Sequence, residues 1–124
     1  MVIVDTNVIV AAIRDNDSAK NILSKYAKQG ICISIVTEME LNVGATNVAK
    51  KAVVKKVIAN HEVLQLSKSI GNLALRLIKT YNNSKQVLFL GDALIAATCL
   101  HYNYKLITFN SKDFKYIKGI QLAS

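Results

Sequence analysis

The chain predicts an α/β fold on a parallel sheet, and three observations carry that prediction. Short, wholly apolar runs such as Val2-Ile3-Val4 and Ile31-Cys32-Ile33 have the composition of strands buried on both faces. Stretches of helical periodicity alternate with them from one end to the other. The alternation is uninterrupted, since 124 residues contain no proline, no linker-like stretch and no repeat. A chain of this length is expected to form one domain, residues 1–124.

Each element follows in order. Val2 to Val4 reads as the first strand, and a helix is expected from Thr6 to Ile13. Asp15-Asn16-Asp17-Ser18 is a turn with Ser18 as the expected N-cap of a helix running to about Lys28, closed by Gly30. Ile31 to Ser34 is the second strand, followed by a helix over roughly Val36 to Val43. Ala45 to Asn60 is amphipathic, with Val53, Val54, Val57 and Ile58 on one face and Lys51, Lys55 and Lys56 on the other. Glu62 to Leu66 is the expected third strand, Ser67 caps a helix to about Lys79, and Tyr81 to Gln86 is a polar loop. Asp92 is expected to start a buried helix that ends near His101. Lys105 to Thr108 is a strand, and Gly119 to Leu122 a last one.

Composition narrows the function. Sixteen Lys and Arg stand against eight Asp and Glu, a net charge of +8, and all but two of the cations are lysine. Such an excess favours a polyanionic partner through steering and counterion release, although a lysine-rich surface alone is also a solubility device. The apolar fraction of 52% and mean hydropathy of +0.27 imply a generous core or an apolar patch that a partner covers. No apolar run approaches the roughly 18–20 residues of a membrane span. No basic stretch precedes an apolar one at Met1, so a cytoplasmic protein is expected, without a membrane partner. Cys32 and Cys99 lack metal-ligand spacing and are expected as buried, reduced thiols.

Half of the eight acids fall where a parallel sheet gathers side chains at one edge. Asp5 follows the first strand, Glu40 lies on the helix after the second, Asp92 is at the start of a helix, and Asp113 is in the loop after the fourth strand. Ligands in open parallel sheets bind beyond the carboxyl ends of the strands. Two carboxylates about 4 Å apart repel by roughly 4 kcal/mol at an effective dielectric near 20. Four in one cleft must take up protons, spread apart or hold a cation. Oxygen ligands without His or Cys favour Mg²⁺ or Mn²⁺ over Zn²⁺, and such an ion activates water against a phosphodiester.

Each acid also has a purely structural reading. Asp5 and Asp92 suit helix N-caps, Thr37-x-x-Glu40 matches a capping box, and Asp113 suits an Asx turn after Asn110. The caps taken singly do not explain why all four positions share one sheet edge.

Val-Asp-Thr-Asn-Val at the start, Glu-Leu-x-x-Gly after the second strand, Asp-Ala-Leu-Ile-Ala-Ala-Thr and Thr-x-Asn-x-x-Asp-Phe together resemble the PIN domain, and within it the VapC-type toxin ribonucleases. The resemblance runs from Met1 to about Leu122. It implies a Rossmann-like parallel sheet flanked by helices on both faces. It also implies divalent-metal-dependent endonuclease cleavage of RNA by activated water, a small VapB-like antitoxin partner and a homodimer. Asp5, Glu40, Asp92 and Asp113 match the family's catalytic acidic quartet. Asp5, Asp92 and Asp113 are the implied metal ligands, and Thr6 and Asn110 the supporting polar positions. Glu38 competes with Glu40, but the spacing to Leu41 and Gly44 selects Glu40. The segment 46–86 matches no family motif. PIN nucleases of RNA processing, a catalytically silent RNA-binding module and a phosphoryl-handling domain with Asp5 as nucleophile are the alternatives. The last lacks a second Asp beside the first strand.

His61 and His101 have no partners at metal spacing and read as surface or helix-end residues. Tyr102, Tyr104 and Tyr116 suit base stacking or half-buried packing. Lys50-Lys51 and Lys55-Lys56 suit a phosphate track or a solvated face, and Arg14 lies close to the expected active edge.

Overall fold

Four parallel strands form the centre of the molecule, in a computed structural model that describes residues 1–123. The strands are β1 (Val2–Val4), β2 (Ile31–Ser34), β3 (Glu62–Leu64) and β4 (Lys105–Ile107), in the spatial order β3-β2-β1-β4. The helices are α1 (Thr6–Ile13), α2 (Asp17–Tyr26), α3 (Ile35–Gly44), α4 (Val48–Ala59), α5 (Lys68–Tyr81) and α6 (Leu90–Tyr102). The parallel order makes every strand-to-strand connection a helical crossover.

Strand alternation divides the core between the two faces of the sheet. Val2, Val4, Ile33 and Ile107 point to one side and pack with Val8 and Ile9 of α1, Ala19 and Tyr26 of α2, Leu41 of α3 and Val54 of α4. Ile3, Cys32, Leu64 and Leu106 point to the other, against Ile70, Ala74 and Leu77 of α5, Ile95 and Cys99 of α6, and Phe114 and Ile117. Helix α6 is buried along Ala93, Ile95, Ala96, Ala97, Thr98 and Cys99, which accounts for its nearly continuous apolar sequence. Both cysteines are buried and free. Burial pushes the Cys32 thiol up to about 11 and the Cys99 thiol also well up, so both stay protonated.

Several boundaries differ from expectation for local reasons. Asn16, not Ser18, caps α2, its Oδ1 accepting from Ala19 N at 2.9 Å while Asp15 takes a positive φ of 66°. Helix α4 starts three residues late because Asn47 Oδ1 accepts from Lys50 N and sets the N-terminus. β3 ends at Leu64, and the expected last strand reduces to a single bridge, Leu106 to Leu122. Ser67 caps α5 as expected, accepting from Ile70 N at 3.2 Å.

Candidate active site

Asp5 leaves the end of β1 with its side chain fixed at both oxygens. Oδ1 accepts from Thr6 N at 2.8 Å, which makes Asp5 the N-cap of α1, and Oδ2 accepts from Thr108 Oγ1 at 2.7 Å. Asp5 N itself donates to Ile107 O at 2.8 Å, so the β1–β4 ladder runs directly into the site. Asp5 is 6% exposed, the one buried carboxylate among the described residues. Burial raises its pKa; the Thr108 and Thr6 hydrogen bonds oppose the rise, and the charges of Glu40 and Asp113 add to it.

Glu40 is the sixth residue of α3 and is not part of a capping box. Ser34 caps that helix, its Oγ accepting from Val36 N at 3.1 Å, so Thr37 lies inside the first turn. The Thr6 hydroxyl donates to Glu40 Oε1 at 2.7 Å and lies 3.0 Å from the fully buried Thr37 hydroxyl. Gly91 faces the same carboxylate: a Cβ there would lie 3.4 Å from Glu40 Oε2. Glu38, the competing acid, does not line the cleft.

Asp92 is not the N-cap of α6. The helix begins at Leu90 with Phe89 in the cap position, and Asp92 sits in the first turn. There it gains from the helix dipole while its side chain reaches the other acids. Burial, followed by the charges of Asp5, Asp113 and Glu40, pushes its carboxyl up to about 6. Asp113 ends the short 3-10 turn Ser111–Asp113, its N–H donating to Asn110 O at 2.9 Å, and Asn110 makes no side-chain cap bond. The Asx turn expected as an alternative is therefore absent.

Asp5 and Asp92 thus both feel the charges of Glu40 and Asp113 at the carboxyl edge of the sheet. An open cleft of about 710 Å³ exposes Asp5, Glu40 and Asp92, with Thr6, Asn7, Arg14 and Asn110 on its walls. Asp113 does not line it. Among the described residues no three Asp, Glu, His or Cys side chains are drawn together as a ready-made ion cage. The donor set nevertheless fits a hard cation that keeps its water and takes one or two carboxylates. All its atoms are oxygens. Among the described residues no Lys or Arg is ion-paired to any of the four acids, the Lys20–Asp15 bridge being elsewhere. Burial is the main cause of the elevated Asp92 pKa, and the unneutralised charges of Asp5, Asp113 and Glu40 add to it.

Thr108 belongs to this site and is the residue that sequence reasoning missed, although it opens one of the motifs quoted above. Its hydroxyl accepts from Asn110 N at 3.0 Å and donates to Asp5, so Asn110 acts on the cluster through its backbone. Asn7 Oδ1, 3.4 Å from Phe109 N, ties the same loop to α1. The two histidines and the tyrosines make local contacts. Tyr116 packs edge-on against Tyr81, with ring centres 5.4 Å apart, and Tyr102 stacks on Tyr104. His61 Nδ1 is 2.8 Å from Val57 O, and His101 packs edge-on against Tyr102.

A parallel sheet with carboxylates gathered at its carboxyl edge can hold a hard cation, and comparison with known proteins gives the family. The PIN-domain model matches residues 2–120, and the chain belongs to the PIN-domain family. Ribonuclease VapC1 of Rickettsia felis is 32% identical over 98% of this chain and 94% of its own length. Ribonuclease VapC10 of Mycobacterium tuberculosis is 32% identical over 92% and 86%. Among solved structures, a toxin-antitoxin complex from Klebsiella pneumoniae superposes with a TM-score of 0.82 at 30% identity, covering 97% of this chain and 95% of that one. VapBC2 from Rickettsia felis, bound to a promoter DNA fragment, gives 0.82 at 27% identity over 99% and 98%.

Proposed function

We propose that this chain is a VapC-type toxin: a divalent-metal-dependent endoribonuclease held in check by a VapB-like antitoxin. The observation that carries the reading is the buried Asp5 at the end of β1, with Glu40, Asp92 and Asp113 close enough to raise carboxyl pKa values in the group. Kinship with ribonucleases across nearly the whole chain supports it.

Asp5 and Asp92 would hold the ion, Mg²⁺ or Mn²⁺, with Asp113 acting directly or through water. The ion, when bound, activates water and stabilises charge on the phosphoryl oxygen. Asp5 is held ready as a ligand, because two hydrogen bonds leave its carboxylate one orientation and favour its ionised form. Thr6 orients Glu40 toward the cleft, where it positions the attacking water. Asn110 supports the loop that carries Thr108 and Asp113.

The protein acts in the cytoplasm, where its RNA substrate is, and no helix among the described residues is long and apolar enough to cross a membrane. It forms a homodimer. Val43 and Val48, 82% and 85% exposed, and Phe89 and Leu90, both 67%, leave apolar surface for a second copy. A monomeric mass by light scattering at micromolar concentration would reject the dimer. The activity is tested by cleavage of a structured RNA panel with Mn²⁺ or Mg²⁺, with EDTA, and with Asp92→Asn. Cutting that needs the metal and disappears in the variant is expected; cutting that survives both would sink the reading.

A further inference from the structure

We propose that Arg14 is the phosphate-binding residue of the cleft and that the apolar groove beside it receives the adjoining nucleotide of single-stranded RNA; this rests on the RNA-cleaving function proposed above. The cleft that exposes Asp5, Glu40 and Asp92 has one cation on its walls, Arg14. Arg14 caps the C-terminus of α1, is exposed, and makes no ion pair among the described residues. A second cavity of about 440 Å³ continues from the first, sharing Val10, Arg14 and Glu40 with it. Its other walls include Ile13, Leu41, Ala45 and Val53, with Lys50 beside them.

Charge decides what fits this pair of cavities. A strand whose scissile phosphate lies at the carboxylates must place its next phosphate away from them, since both are anionic. Arg14 marks the seam where the acidic cleft gives way to a groove with two cations and one shared acid. A guanidinium offers a planar fork that matches phosphate oxygens in pairs. An apolar wall next to it accepts the face of an unstacked base, the usual way in which single-stranded RNA is held. The groove walls alone would also take an apolar protein segment; Arg14 at the seam is what favours an anionic strand.

The test is binding of a short fluorescein-labelled single-stranded RNA in the cleavage-dead Asp92→Asn background, so the reading does not depend on turnover. Arg14→Ala, Arg14→Lys and Ala49→Leu are added singly, each checked by thermal melting. Ala49 is an exposed groove residue, and the larger side chain narrows the groove. Arg14→Ala is expected to weaken binding about tenfold and to reduce the slope of log affinity against log salt by about 0.7, the loss of one single-strand phosphate contact. Arg14→Lys restores the slope, and Ala49→Leu weakens binding with the slope unchanged. Unaltered affinity and slope in Arg14→Ala would overturn the proposal. So would an Ala49→Leu protein that binds RNA normally but releases a co-purified protein, because the groove would then belong to that partner. These outcomes are separable from failure of the nuclease reading, which cleavage by the parent with Mn²⁺ decides on its own.

Discussion

The Thr6 hydroxyl donates to Glu40 Oε1 at 2.7 Å, joining the first residue of α1 to the sixth of α3. Thr6 thereby does two things: its backbone N–H fixes Asp5, and its side chain fixes the acid on the facing helix. Thr6→Val keeps the shape and the backbone bond but removes the donor. Cleavage is expected to fall about tenfold, a modest value because the bond is exposed to solvent. Thr6→Ser is expected to cleave near the parent rate. Equal rates for Thr6→Val and the parent would show that Glu40 needs no such support.

Asp92 should cost stability at the pH where it works. Its folded pKa of about 6 exceeds the ordinary 3.8, so the folded state binds the proton more tightly than the unfolded chain. Stability from this group is therefore fully present below about pH 3.8 and is lost as pH rises through about 6. Without metal, Asp92→Asn is expected to be more stable than the parent at neutral pH by about 1 kcal/mol, allowing for solvent screening. Chemical denaturation of both proteins at acid and neutral pH checks the sign. A parent more stable than Asp92→Asn at neutral pH in EDTA would contradict it.

Divalent metal should reverse that penalty. An ion that binds the folded cluster stabilises it by mass action, about 2.7 kcal/mol at a hundredfold excess over Kd. The melting temperature is expected to rise with Mn²⁺ or Mg²⁺ in the parent and much less in Asp92→Asn. An identical rise in both proteins would place the ion elsewhere.

Thr108 tunes Asp5. Its hydrogen bond is the largest influence opposing the rise that burial imposes on Asp5. In Thr108→Val the Asp5 pKa is expected to climb, because the ionised form loses a hydrogen bond that it accepts. The acid limb of the pH–rate profile should then move to higher pH, with activity recovered at alkaline pH. A profile that drops uniformly, without moving, would assign Thr108 a purely structural role.

Much of this molecule is legible in its sequence because the signals are local. Apolar triplets such as Val2-Ile3-Val4 suit strands buried on both faces, and α1 falls where expected because Asp5 is an N-cap. Boundaries move where an earlier side chain supplies the cap, as Asn16 does for α2 in place of Ser18 and Ser34 for α3 in place of Thr37. The acids stand out because charge is costly at a sheet edge and sequence order reveals which edge. Thr108 escapes notice because a hydroxyl carries no such cost, and its partner lies 103 positions away. Asp113 stands apart from the open cleft, a detail set by the geometry of the turn after β4 rather than by spacing.

The hydrogen bond between Thr108 and Asp5 has a temporal consequence. Asp5 leaves the ribosome 103 residues before Thr108, and its carboxylate is fixed only after β4 pairs with β1. Long-range parallel pairing of this kind forms late in folding. A growing chain therefore carries Asp5 through those 103 residues without an assembled centre. The hazard that a ribonuclease poses to the RNA being translated is deferred until the strand leading to Thr108 has docked.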